Sequence, residues 1–189
     1  MVLPMLARLL GAAAMLLAAS PASAQVSLAP LTGLASGHLG TTAGADGSDA
    51  AFTFGGSVAV VEQSGWGAEI DFGHAAGEGG ANRGAHVQSY MVNVTGVWPT
   101  GALRPFLVAG LGGLRVRACG VNCEGLVTWL DWGYSAGAGA HYLVNSRVAL
   151  RGDVRYFSTL DNHPDAARRH RFDFWRVTVG ASVLWDIVP

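Results

Sequence analysis

Two short stretches of the chain carry charge on alternate residues: Glu69 and Asp71 in "WGAEIDFG", and Arg151, Asp153 and Arg155 in "RVALRGDVRYF". Side chains two residues apart share one face of an extended backbone. A guanidinium offers a rigid fork of donors that a carboxylate can accept twice, so such faces suit ion pairing where water is scarce. Two chemistries are open to them. They could act as a gate or proton path, or they could be a structural plug, which is the simpler reading.

Other reactive side chains give less. Cys119 and Cys123, in "ACGVNCEG", are the only cysteines, and a local disulfide is the natural reading for an exported chain. A metal site there would need two further ligands, and the nearby sequence offers only Glu124. Hydrolytic chemistry needs a serine, a histidine and an orienting carboxylate together. Ser158 and His163 are the nearest candidates, but rim positions suit them better, and the chain reads as a non-enzyme. The glycine-rich "AGLGG" and "AGAGA" lead into no helix that would cradle a phosphate, so no nucleotide, cofactor or metal is expected.

The elements that position these residues are eight alternating runs: 29–40, 51–62, 66–75, 86–98, 103–117, 128–143, 147–159 and 171–185. Long connections follow the first, third, fifth and seventh runs; "QSG", "PTGA" and "VNS" follow the others. That rhythm predicts an all-β, up-and-down antiparallel barrel of eight strands, with every tight turn and both termini at one end. The run 103–117 does not resolve into two faces, because Phe106 and Val108 share parity with Arg104, so a bulge near Gly110, Gly112 and Gly113 is expected.

In each well-resolved run the charges fall on one parity and the apolar residues on the other. Leu130, Trp132, Tyr134 and Tyr142 oppose Asp131 and His141; Val148, Leu150, Val154 and Tyr156 oppose Arg151, Asp153 and Arg155. A soluble barrel would bury the charges' face and wet the aromatics, at high cost. In a membrane barrel that apolar face meets lipid instead of water, and the aromatics collect at the two headgroup levels. Trp66, Trp98, Trp132, Tyr134, Tyr142, Tyr156, Trp175 and Trp185 are the expected girdle. An eight-stranded lumen has room for side chains only. There Glu69 and Asp71 are expected to meet Arg151, Arg155 and Arg176, with Asp131, Asp153 and His141 at the margins.

Composition agrees. Half of the 189 residues are hydrophobic and 13% charged, yet 27 glycines argue against a helical protein. The net charge of −1 and scattered arginines give no footprint for nucleic acid. Residues 1–24 have the form of a cleaved signal peptide, with an apolar stretch from Leu9 to Ala19 and the triplet Ala22-Ser23-Ala24, leaving 25–189 as the barrel domain. In "DNHPDAARRHR", Arg168, Arg169, His170 and Arg171 are candidate contacts to lipopolysaccharide phosphates; an ordinary solvated loop is the plainer alternative.

The chain resembles the small eight-stranded outer-membrane β-barrels that include the OmpA transmembrane domain, OmpX and the opacity proteins. "WGAEIDFGH", "LRPFLVAGLGGLRVR", "HYLVNSRVALRGDVRYF" and "DFWRVTVGASVLW" carry the likeness across most of the mature sequence. It implies the bacterial outer membrane, a lipid and lipopolysaccharide environment, and insertion by the barrel assembly machinery, which recognises a last strand ending in an aromatic residue. Trp185 fits, although "DIVP" follows where the family usually stops. A monomer is expected, with no peptidoglycan-binding domain after the barrel. The roles open to it are a structural or surface-interaction barrel, a narrow pore, or, least favoured, a lipid-modifying enzyme.

Overall fold

A computed structural model describes residues 30–44, 50–76, 86–98, 101–119, 126–160 and 172–188. Eight strands follow one another: β1 (Leu31–Gly44), β2 (Ala51–Glu62), β3 (Trp66–Ala76), β4 (His86–Val97), β5 (Leu103–Cys119), β6 (Leu126–Leu143), β7 (Val148–Thr159) and β8 (Asp173–Val188). Each pairs antiparallel with its neighbour in sequence, and β1 pairs with β8, so the sheet closes and no edge is left. Closure is what lets strands enter hydrocarbon, because every peptide group along the wall then has a partner.

The tight turns share one end. Glu62 accepts a hydrogen bond from the Gly65 amide, and Gly65 adopts φ 91°, a backbone that only glycine takes without strain. Between β6 and β7, the Asn145 Oδ1 accepts from the amides of both Arg147 and Val148, each at 2.8 Å, doing the work of a backbone turn. The long connections leave the opposite end.

Outward residues are apolar at mid-height: Val58, Ile70, Val92, Val94, Leu107, Leu111, Val154, Val179 and Val183 are all exposed, Ile70 and Val92 by 65%. A continuous apolar belt of this kind marks a wall that faces lipid. The inward face holds the buried charges.

β5 corrects one expectation. Its pairing with β4 and β6 runs without a shift past Gly110, Gly112 and Gly113, so the bulge is absent. Among the described strands the register shifts only between Leu31 and Thr32, where β1 meets β8. Arg104, Phe106, Val108, Leu114 and Val116 all point inward and are buried. Their shared parity is no conflict, because the lumen is layered. Leu34, Ala59, Val61, Leu143, Ala149 and Leu184 form an apolar cluster near the tight turns. Met91, Leu114, Phe157 and Phe174 form another towards the long connections. The charges lie between them.

Candidate functional site

The layer between the clusters is assembled from β3, β7 and β8, with polar support from β1, β2, β4 and β6. Each strand contributes alternate residues, so charges two apart in sequence stack at successive heights along the lumen. Arg151 donates from Nη2 to Glu69 Oε2 at 2.8 Å, from Nε to Asp153 Oδ2 at 2.9 Å, and from Nη1 to the Ser57 hydroxyl at 3.0 Å. Arg176 donates to Asp71 Oδ1 at 2.7 Å and lies 4.8 Å over the Phe157 ring. Arg151 lies similarly over Phe106, at 4.9 Å. An aromatic face thus lies against each of these two guanidinium groups, Phe157 from the apolar cluster towards the long connections and Phe106 from β5.

Arg155 is the hub. Its Nη1 is 2.8 Å from Glu69 Oε1 and 3.8 Å from Asp71 Oδ2, and its Nε is 3.3 Å from Asp153 Oδ1. These contacts place the Arg155 charge among three carboxylates. Two of the three also accept from neutral donors: Asn93 donates to Glu69 at 3.1 Å, Thr178 to Asp153 at 3.1 Å, and Ser135 in turn donates to Asn93. Arg155 and Asp71 are both fully buried.

β6 makes the space. Gly137 and Gly139 face inward, and a Cβ on Gly137 would run into Arg155, one on Gly139 into Phe106 and Asp153. The "AGAGA" stretch is therefore recessed where the network needs room, a role distinct from strand curvature.

The outer membrane protein beta-barrel domain family matches residues 10–182. The chain belongs to that family. As a member of it, this is a bacterial outer-membrane β-barrel protein. No curated protein matches the sequence. Among solved structures, Neisserial surface protein A is similar with a TM-score of 0.63 and 14% identity, covering 82% of this chain and 96% of its own. A major outer membrane protein from Thermus thermophilus gives 0.61 at 10% identity, covering 82% and 99%. Ail, the attachment invasion locus protein of Yersinia pestis, gives 0.57 at 12%, covering 84% and 100%. At such identities the likeness is one of fold.

Within this family barrel, Glu69, Asp71, Arg151, Arg155 and Arg176 come together in one layer. Two placements differ from the sequence reading. Asp153 is no marginal residue: it sits between Arg151 and Arg155, because β7 puts all three on one face. Asp131 is half-buried and pairs in register with Leu114 of the upper apolar cluster, several residues above the layer. His141 is buried, paired in register with Arg151, and its ring lies tilted against Phe106 with centroids 4.8 Å apart.

The aromatic residues fall in two rows. Trp66, Trp98, Tyr142 and Trp185 lie at the tight-turn end; Trp132, Tyr134, Tyr156 and Trp175 lie at the other, where Tyr156 donates to Asp173 at 2.8 Å. Cys123, His163, Arg168, Arg169, His170, Arg171 and residues 1–24 lie outside the described residues, as does the side chain of Cys119. Ser158 is fully buried in the wall, which removes it as an accessible nucleophile.

Sequence reasoning missed His38, Asn93 and the serines. Ser36 and His38 share the polar parity of a first run too glycine-rich to weigh, and His38 Nε2 lies 3.9 Å from Asp71. Asn93, in "YMVNVTGV", interrupts its apolar run on the inward parity, which was the available signal.

Proposed function

We propose that the protein is a sealed outer-membrane scaffold whose four long connections form a surface for interaction outside the cell. The observation that carries this reading is the position of Arg155 among Glu69, Asp71 and Asp153, closed above by Phe157 and Phe174 and below by Leu34, Val61 and Leu184. Opening a path would require separating ion pairs that have no water to move into, and breaking a buried pair costs about 3–5 kcal/mol. The void beside Arg104 and His141 is about 10 Å³, no more than one water's room.

A barrel that neither conducts nor encloses a ligand leaves its rim to act. That barrels of this fold include a neisserial surface protein and an attachment protein supports the reading. Assembly by the barrel assembly machinery is part of it, with the alternating β8 as the strand recognised. The test is conductance: purified full-length protein inserted into planar lipid bilayers leaves them electrically silent. Reproducible single-channel steps would replace the scaffold with a narrow pore.

A further inference from the structure

The outer wall carries a polar patch that neither the lumen nor the loops explain. On β5 the outward residues run Leu103, Pro105, Leu107, Ala109, Leu111 and Gly113, and then change abruptly to Arg115 and Arg117. Both arginines are exposed, and among the described residues neither has an ion-pair partner. The register sets Arg115 beside Gln88 and Arg117 beside His86 on β4, and Gln88 beside His74 on β3. His74 and His86 stack with ring centroids 5.6 Å apart, and the Gln88 amide meets His74 Nδ1 at 3.5 Å. Two guanidinium groups, two imidazoles and an amide thus form one donor surface across three strands.

Its height is set by the same register. The row below it is Phe72, Tyr90, Gly113 and Trp132, with Phe72 and Tyr90 rings 5.3 Å apart. From Leu103 to Gly113 the chain advances ten residues, roughly 34 Å at about 3.4 Å each, or about 24 Å of height at a tilt near 45°. That is the height of the apolar band of an outer-membrane barrel, about 25 Å. Arg115 and Arg117 therefore begin where hydrocarbon ends, on the side of the long connections, facing sideways into the outer leaflet.

We propose that this patch binds the phosphate groups of an outer-leaflet glycolipid of the lipid A type, seated against the outside of β3, β4 and β5. The chemistry is direct. Guanidinium groups hold phosphate oxygens by paired charge-assisted bonds, and the aromatic and aliphatic residues immediately below accept the acyl chains of the same molecule. A soluble anion would use the first contact only, whereas a headgroup tethered to chains uses both. The site is built on the wall strands themselves.

The test uses folded full-length protein in zwitterionic detergent micelles, titrated with bisphosphorylated lipid A and followed by native mass spectrometry. Arg115→Gln with Arg117→Gln is expected to weaken binding by about tenfold or more, and Arg115→Gln alone to weaken it measurably, while Arg147→Gln, which like Arg115→Gln removes one charge but at the tight-turn end, leaves it unchanged. If the double variant fails to migrate as a folded barrel, Arg115→Gln alone carries the comparison. Fully dephosphorylated lipid A is expected to bind wild type and variant alike, and weakly. Equal affinity of wild type and variant for phosphorylated lipid A overturns the proposal. So does full displacement of lipid A by millimolar inorganic phosphate, which would mark a site for free anions.

Discussion

The indole of Trp185 on β8 fills the space that a side chain at Gly33 on β1 would take. The last strand is thereby clasped to the first on the outer wall, next to the one place where the pairing shifts register. Gly33→Ala should weaken the seam by about 1–3 kcal/mol, read as a lower midpoint for urea unfolding from micelles. In a Trp185→Ala background the same change should cost little. Additive losses in the double-mutant cycle would show that the two residues do not meet.

Arg155→Met removes the hub and leaves Glu69, Asp71 and Asp153 crowded in a dry lumen. A loss of about 3–5 kcal/mol is expected, seen as a fall in the temperature at which the band on unboiled gels shifts from folded to unfolded migration. Unaltered heat-modifiable migration would mean that the carboxylates are neutral or hydrated without Arg155.

The alternation in "AGAGA" separates two effects. Gly139→Val crowds Phe106 and Asp153 inside, whereas Ala138→Val points outward to lipid. Only the first should lower the yield of folded barrel. Equal yields would put the recess elsewhere.

If Cys119 and Cys123 are bridged, the bond closes only a short loop beyond the backbone pair Cys119–Leu126. Alkylation of the denatured protein should then require prior reduction. Replacing both by serine should cost about 2 kcal/mol by chain entropy alone, with the strands intact. Free thiols in the exported protein would remove the bridge.

Strand number, connectivity and facing were legible because period-2 alternation and connection length are local properties. β2 was read to its exact bounds, and six of the other runs shifted by only a few residues at their ends. β1 was blurred by Gly33, Gly37 and Gly40, which have no side chain to declare a face. What the pattern withheld was height. Parity says that Asp153 and Asp131 both face inward, but only the register shows Asp153 held at the level of Thr178 on β8 and Asp131 level with Leu114. The apolar residues inside β5 misled for the same reason, since a lumen stratified along its axis cannot be seen from one strand at a time. The basic patch on the wall was hidden similarly, being spread over three strands that only pairing brings together.

The division of charge along the chain bears on how the barrel is built. Glu69 and Asp71 arrive early, on β3, whereas every guanidinium that neutralises them comes from β7 and β8. An incomplete sheet of the first six strands would carry two naked anions into hydrocarbon, so partial insertion is penalised until the final hairpin docks. A cylinder that shut without its last two strands would leave these acids short of electroneutrality.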